Sequence, residues 1–357
     1  MMGSPMLAPG ADPAPDLADG PDAHVSPGLW ALAWRRLRAD RLAMLALGVV
    51  ALFLVLVALA RAGLVAADWE DEVAVNYAPP SFMGPDPATL AAARAPLPAP
   101  PNAFDPLAAD IHALRAALAA STPATDRVRR ATLPFGADKW GHDVLKKTVK
   151  GAETSIVVGL VAALLAVGLG TLFGALAGFY GGVVDDLFNW FYSVFTAIPS
   201  ILMILAVAAV LQQKGVATIV LILGLTGWTG PFRLMRAEYL KHKGREYVLA
   251  AEAIGASSWR KMFGHIFPNV SHVALVQLSI LVVGFIKAEV ILSFLGFGVP
   301  VGVVSWGSML NEAQNELILG KWWQLAAAAG AMALLVTAFS LLTDALRDAL
   351  DPQLRSE

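Results

Sequence analysis

Long apolar runs constrain this chain more than any other feature of its sequence. Six of them occur, and each approaches or exceeds the roughly 20 apolar residues with which an α-helix crosses the hydrocarbon core of a bilayer. Composition agrees, because 57% of the residues are hydrophobic and 15% are charged, against about a quarter charged in soluble proteins. The sequence therefore predicts an all-α integral membrane protein. The predicted spans are residues 42–64, 153–179, 187–211, 216–234, 270–297 and 323–346.

Polar segments separate the spans and divide the chain into parts. The first segment is rich in Pro, Ala, Gly and Asp without an apolar period, which is typical of a disordered arm. A long segment after the first span is rich in Pro and Ala, with a short helix expected at 106–120. The predicted parts are an arm at 1–29, an N-terminal segment with the first span at 30–66, an insert at 67–150, a core of five spans at 151–346 that includes a polar loop at 235–268, and a tail at 347–357.

The positions of Lys and Arg predict the orientation of the spans. Short cytoplasmic loops of membrane proteins are enriched in these residues. A basic cluster from Arg35 to Arg41 precedes the first span, and seven Lys and Arg residues lie between Arg233 and Pro268. With six spans these two segments fall on the same side. We therefore expect both termini and the loop at 235–268 to be cytoplasmic and the insert to be extracytoplasmic.

The polar loop contains a predicted amphipathic helix at residues 246–254, which is too short to cross a membrane. Four of its residues recur at helical spacing and form a narrow stripe of mostly small side chains. Such a stripe can lie in a groove of another protein. The stripe residues are Tyr247, Ala250, Ala251 and Ile254.

A sharp turn is predicted directly after this helix. Gly255 is suited to the left-handed C-cap, and Ser257 or Ser258 can cap a second helix that runs toward Pro268. The result would be a rigid elbow. The residues alone leave two alternatives open, a solvated linker and an interfacial helix that lies on lipid.

The run from Tyr247 to Ser257, followed by His265–Asn269, resembles the coupling loop of permease subunits of binding-protein-dependent ABC importers, in the dipeptide, oligopeptide and nickel branch. The family pattern is Glu-Ala-Ala, three residues, Gly, and later Leu-Pro. Here Leu249 replaces the glutamate and Phe267 replaces the leucine. The residues that the resemblance assigns to contact with ATPase subunits are Tyr247, Ala250, Ala251, Glu252, Ile254, Gly255, Ala256, Ser257 and Pro268.

Further motifs of the same family follow in order over most of residues 130–355. Trp190 and Ser193 depart from the pattern, because the family usually has Arg and Asp there. We recognise no counterpart for the arm or the insert. The matching runs are Phe135–Asp138 with Gly141–Leu145, Gly178–Gly182 with Asp185, Ala197–Pro199, Leu292–Gly298, Ser305–Met309 and Leu346–Pro352.

The resemblance implies a six-helix type I ABC importer permease with a cytoplasmic coupling helix. Such a subunit lies in a bacterial inner membrane and forms the pathway for peptides or similar small solutes. It implies four kinds of partner: a second, homologous permease subunit, two ABC ATPase subunits, an extracytoplasmic solute-binding protein and the lipid bilayer. The sequence has no Gly-x-x-x-x-Gly-Lys-Ser/Thr phosphate loop. We therefore expect no cofactor and no enzymatic activity in this subunit, with ATP and Mg²⁺ used by the partner ATPases, and no nucleic acid as partner.

The residues without the resemblance permit two other functions. One is a membrane-embedded enzyme that acts through the insert, and the other is a channel or secondary carrier. The six histidines show no metal-ligand spacing such as His-Glu-x-x-His. Asp138, His142 and Asp143 are close enough in sequence to bind a metal, although we favour a role in stabilising the turn or in facing a partner.

Two charged residues, Lys287 and Glu289, lie within the fifth predicted span. A charge there costs at least about 2.5 kcal/mol on insertion scales and normally faces protein or water. Their side chains diverge by about 200° around a helix, so they cannot simply pair with each other. We consider two roles: residues of the translocation pathway, with Glu289 attracting a peptide amino group, and a structural ion pair or hydrogen bond between helices, which we slightly favour.

Overall fold

The computed structural model describes residues 29–93, 129–211, 215–300 and 302–350, with residue 213 and a few positions between 110 and 117. These residues are predominantly α-helical, as predicted, and their only β pairing consists of isolated bridges. The predicted arm and most of the predicted helix at 106–120 lie outside them. The helices are α1 (Leu29–Ala39), α2 (Arg41–Arg61), α3 (Pro87–Ala93), α4 (Val144–Tyr180), α5 (Gly182–Thr196), α6 (Ser200–Leu211), α7 (Val216–Thr226), α8 (Thr229–Lys243), α9 (Glu246–Ala253), a π-helix (Arg260–Ile266), α10 (Phe267–Phe294), α11 (Trp306–Ile318) and α12 (Trp323–Leu350).

Four helices in the described part of the chain are long and apolar enough to cross a membrane: α2, α4, the π-helix with α10, and α12. The helices α5 and α6 pass the same test together but are bent by 84°, and α7 and α8 are bent by 40°. Six spans result when each bent pair counts as one. The sequence predicted a continuous span at 187–211, but Pro199 precedes α6, and proline disfavours helical geometry in the residue before it.

The helix α4 is the central element of the fold. Its 37 residues extend roughly 55 Å at 1.5 Å per residue, well beyond the roughly 30 Å hydrocarbon core. It begins at Val144, inside the predicted insert, because the Asp143 side chain caps it by accepting a hydrogen bond from the Leu145 amide at 2.9 Å. We name the two ends of the bundle the insert face, which holds Asp138 and Glu312, and the loop face, which holds residues 244–259.

Glycines bring α4 and α8 into backbone contact. Gly170, Gly174 and Gly178 lie one turn apart on α4, where each faces α8. A Cβ atom added at Gly174 would lie 2.8 Å from the backbone oxygen of Phe232. Small residues at this spacing let helices in a membrane approach closely. The α4–α8 pair is therefore held by a packing surface that tolerates no additional atoms.

A buried ionic cluster holds the start of α4 at the insert face. The ammonium of Lys147, which is 3% exposed, lies 2.6 Å from Asp138 Oδ2 and 2.6 Å from Glu312 Oε2. Burial raises the pKa of the Asp138 carboxyl, but the charge of Lys147 outweighs it and holds that pKa below its usual value. Asp138 Oδ1 also accepts hydrogen bonds from the amides of Trp140 and His142. The predicted turn-stabilising role is confirmed for Asp138.

A second buried acid lies on α11 beside this cluster. Glu316 is 1% exposed. Burial, together with the like charges of Asp138 and Glu312, raises the pKa of its carboxyl to about 7 against the opposing charge of Lys147. The cluster therefore combines a stably ionised acid with one that titrates near neutrality.

Candidate functional site

The predicted elbow is present at the loop face. After α9, Gly255 adopts a φ of +81°, its amide donates to the Glu252 carbonyl at 2.9 Å, and the Ala256 amide donates to the Ala251 carbonyl at 2.9 Å. These two bonds form a Schellman motif, which ends a helix with a left-handed residue. The Ser257 hydroxyl then accepts from the Arg260 amide at 3.3 Å. The sequence thus predicted both the glycine cap and the serine cap correctly.

One face of α9 packs on the chain and the other is exposed. Val248 and Ala251 are 2% and 4% exposed, and Val248 joins a cluster with Met262 and Ile266 of the following π-helix. Ile254 and Tyr247 are 85% and 36% exposed. The stripe was predicted to include Ala251, but the chain's own residues cover this side chain, so it cannot contact another protein directly.

The remaining predicted contact residues surround this exposed face. Ala250, at the helical spacing of Tyr247 and Ile254, is exposed, and so are Glu252 and Gly255 beyond it. Ser257 and Pro268 are exposed on the second limb of the elbow and Ala256 is half-buried. We use the name coupling surface for four exposed residues of this segment: Tyr247, Leu249, Ala250 and Ile254.

Side-chain contacts fix the elbow to the spans. The Glu252 carboxylate lies 3.4 Å from the Lys261 ammonium, which in turn lies over the ring of Phe179 at the end of α4. Tyr239 of α8 donates its hydroxyl hydrogen to the Met262 carbonyl at 3.1 Å. Glu252 thus forms an ion pair within the loop, although Leu249 occupies the place of the family's glutamate. These contacts join the elbow to the ends of α4 and α8.

Glu289 lies inside the chain and connects three helices. It is 0% exposed, and its two carboxylate oxygens accept hydrogen bonds from Ser155 of α4 and Ser293 of α10, both at 2.7 Å. The Ser155 hydroxyl oxygen also accepts from the backbone amide of Trp306, the first residue of α11, at 3.2 Å. These contacts support the structural alternative for Glu289 and place its carboxylate away from any open pathway.

Lys287 points to the opposite side of α10, where its side chain is exposed. It belongs to a line of exposed or half-buried residues that runs along the helix at spacings of three and four, which we name the α10 stripe. A cavity of about 440 Å³ adjoins the half of this stripe nearest the loop face, where Glu238, His272 and Arg347 also line it. The stripe consists of Asn269, Val273, Val276, Ile280, Gly284, Lys287, Ile291 and Phe294.

Sequence reasoning missed one ion pair between the spans. Asp185 on α5 accepts from the Arg236 guanidinium of α8 through two bonds, of 2.5 and 2.6 Å. Trp190 and Ser193 stand where the family usually has Arg and Asp, and the sequence did not indicate another pair. A matched acid and base were visible in the sequence, but only the fold brings these residues, 51 positions apart, together.

No group of three or more His, Asp or Glu side chains in the described part of the chain is arranged to hold a metal ion. His142 instead lies against Asp138, with 2.9 Å between Nδ1 and Oδ2. Asp143 caps α4. The three residues considered for a metal thus form a turn and a helix start.

Comparison with known proteins identifies the family of this chain. The model of the binding-protein-dependent transport system inner membrane component matches residues 170–356, more than half of the chain. A second model, the N-terminal TM domain of oligopeptide transport permease C, matches residues 28–80. The start of the insert therefore has a counterpart, which the sequence alone did not reveal.

Several curated relatives align with about 60% of the chain. The dipeptide transport system permease protein DppC of Bacillus subtilis is 38% identical over 221 residues, 62% of this chain and 69% of the relative. The oligopeptide permease OppC of the same organism is 38% identical, over 62% of this chain and 72% of the relative, and OppC of Haemophilus influenzae is 33% identical, over 61% and 70%. This chain therefore belongs to the family of binding-protein-dependent transport system inner membrane components, multi-pass permeases that act in import and are not enzymes.

Proposed function

We propose that this permease forms one half of the transmembrane pathway of an ATP-driven peptide importer. In this proposal a second, homologous permease subunit supplies the other half, a solute-binding protein delivers peptides at the insert face, and two ATPase subunits bind at the loop face and consume ATP with Mg²⁺. The relatives support peptides as the solutes, because their names describe dipeptide and oligopeptide transport. The loop face is accordingly cytoplasmic, as the positions of Lys and Arg predict.

The observation that carries the proposal is the exposed coupling surface on a rigid elbow. Leu249 is 53% exposed on α9, a helix of eight residues, and Ile254 at its C-cap is 85% exposed. Large apolar side chains grouped at a surface mark sites of interaction with other proteins. The elbow behind them is tied to α4 and α8, so a partner that moves the coupling surface also moves the spans as rigid bodies.

The second part of the proposal is that the α10 stripe forms a wall of the pathway. A charged residue within a span is expensive in lipid, and such residues almost always face protein or a water-filled cavity. Lys287 satisfies this rule if the stripe faces the second permease subunit across an aqueous pathway. Glu289 takes no part in that wall, because the chain encloses it.

A matched pair of substitutions tests the coupling surface. Ile254→Glu places a charge in the apolar surface that we assign to the ATPase, whereas Ile318→Glu places one at the insert face on a side chain of nearly equal exposure, 83% against 85%. We expect the first variant to lose co-purification of the ATPase subunits and the second to retain it. Equal recovery of the ATPase with both variants, at equal amounts of membrane-inserted permease, would refute the coupling role.

The orientation is tested with cysteine labelling, because the chain contains no cysteine. A single Lys243→Cys substitution at the loop face should react with a membrane-impermeant maleimide only in inverted vesicles. The matched variant at the insert face, Lys139→Cys, should react only in right-side-out vesicles. The reverse pattern would contradict ATPase binding at residues 246–254.

The solute class is tested by purifying the assembled complex and identifying what its binding protein carries. Proteoliposomes that contain the complex should accumulate that solute only with ATP inside and binding protein outside. Accumulation without ATP would instead identify a channel or a secondary carrier.

A further inference from the structure

Lys287 is the intramembrane charge that the fold leaves unexplained. Its side chain is exposed on α10, and no carboxylate of the described residues lies within ion-pair distance of it. Glu289, two positions further along, has its hydrogen bonds inside the bundle. Among the described residues, Lys287 is therefore a cation without an ion-pair partner on the surface of a membrane-spanning helix.

The surface of α10 beside Lys287 is open in this subunit. Gly284 lies one turn before it on the α10 stripe, and a Cβ atom added there would meet no atom within 4 Å. The stripe continues to Ile280 and from there into the cavity that also holds Glu238 and Arg347. A glycine without neighbours beside a lysine leaves room for a solute group next to the ammonium.

The positive charge of Lys287 determines which chemical class of solute group it attracts. An ammonium in a narrow passage between low-dielectric walls attracts anions more strongly than it does in bulk water. Among the solutes of the proposed function, a peptide supplies one such group at every length, its C-terminal carboxylate. Side-chain carboxylates vary from peptide to peptide, whereas the C-terminal group does not.

We propose that Lys287 is a specificity-determining residue of the pathway, whose ammonium attracts the free C-terminal carboxylate of a passing peptide. This inference rests on the proposed function and adds to it that solutes without a carboxylate pass poorly. A carboxylate of the second permease subunit is the alternative partner, and the experiment below separates the two.

The first measurement compares a radiolabelled peptide with its C-terminal amide in proteoliposomes that hold the complete transport complex. Because the same binding protein delivers both solutes to every variant, its own preference cancels when the variants are compared. We expect Lys287→Gln to lower the ratio of acid to amide uptake by about tenfold and Lys287→Arg to change it less than about twofold. Leu334→Gln, a polar substitution without a change of charge at an exposed position of α12 outside the stripe, should leave the ratio unchanged.

The second measurement restores the charge chemically. In the cysteine-free chain, Lys287→Cys provides a single thiol, which aminoethyl methanethiosulfonate converts into a side chain with an ammonium close to the original position. We expect this reagent to restore uptake of the acid peptide and the negatively charged sulfonatoethyl reagent to leave it low. Leu334→Cys, exposed on α12, and the unmodified complex serve as reagent controls.

The possible outcomes separate this inference from the proposed function. ATP-dependent uptake that Lys287→Gln leaves at its original ratio, or lowers equally for acid and amide, overturns the carboxylate role and leaves the importer intact. Loss of the second permease subunit from the purified Lys287→Gln complex also overturns it, in favour of an ion pair between subunits. A wild-type complex that accumulates neither peptide overturns the proposed function and this inference with it.

Discussion

Adding one methyl group at Gly174 should uncouple this permease without removing it from the membrane. The new Cβ atom would lie 2.8 Å from the Phe232 carbonyl oxygen, 2.8 Å from Met235 Cβ and 2.9 Å from the Arg236 amide nitrogen. Ordinary contacts of this kind are about 3.5 Å or longer, so α8 must move by roughly half an ångström or more. Insertion of a methyl group into a closed packing surface costs about 1–3 kcal/mol.

The functional effect of Gly174→Ala follows from what α8 carries. Arg236 pairs with Asp185, and Tyr239 holds the π-helix behind the elbow. A displaced α8 therefore shifts the coupling surface relative to the rest of the bundle. We expect a lower unfolding temperature of the purified complex and a several-fold lower ATPase response to solute-loaded binding protein, with insertion unchanged.

Gly168 on the same helix provides the matched control. A Cβ atom added there would meet no atom within 4 Å, and alanine stabilises a helix by up to about 1 kcal/mol relative to glycine. Gly168→Ala should therefore retain or increase thermal stability and should keep the ATPase response. If the two alanine variants behave alike in both assays, close packing of α4 against α8 is not what connects the elbow to the spans.

Three further predictions concern acidic residues. The folded protein holds the Glu316 proton up to about pH 7, whereas the unfolded chain releases it near pH 4.5, so the free energy of unfolding should fall as pH rises between these values. Glu316→Gln should abolish that fall and raise the free energy of unfolding at pH 8 by up to about 3 kcal/mol, as measured by thermal unfolding at pH 5 and 8. Asp185→Asn should lower solute-stimulated ATPase activity by leaving Arg236 without its carboxylate, and the exchange of the two residues should restore part of it; no recovery would contradict a pairing role. Glu289→Ala should lower the unfolding temperature more than Glu289→Gln, which keeps an oxygen for one serine, and neither should change the preference for acid over amide peptides in uptake.

The apolar runs predicted the spans because no other long segment of this sequence is apolar enough to cross a bilayer. The helix that contains the second predicted span begins earlier than that span, at Val144. In the sequence, Lys146, Lys147 and Lys150 resemble a polar flank. Lys147 is nevertheless helical and buried, because Glu312, 165 positions away in the chain, helps to neutralise it. A window of hydropathy contains no information about a partner that distant.

The turn after α9 was easier to predict from the sequence than the question of which α9 side chains are buried and which are exposed. This Schellman turn depends on Gly255 and its immediate neighbours, so local sequence was sufficient. Ala250 and Ala251 are chemically equal, and only the packing of the π-helix decides that Ala251 is covered. The same limit applied to Lys287 and Glu289, whose divergence followed from helix geometry, whereas Ser155 and Ser293 decided which of them faces inward.

The helix α4 connects the elbow, α8 and the ionic cluster. This connection suggests how a small movement at the loop face can act at the insert face. At the loop face α4 ends beside Lys261 of the elbow, along its length it touches the backbone of α8 through glycines, and at the insert face its Lys147 is bound to α11 through Glu312. A helix resists bending over such a length far better than side-chain contacts resist sliding. Motion of the coupling surface should therefore reach the insert face as a tilt of α4, and the contacts at its two ends, more than the helix itself, determine how much of that motion is lost.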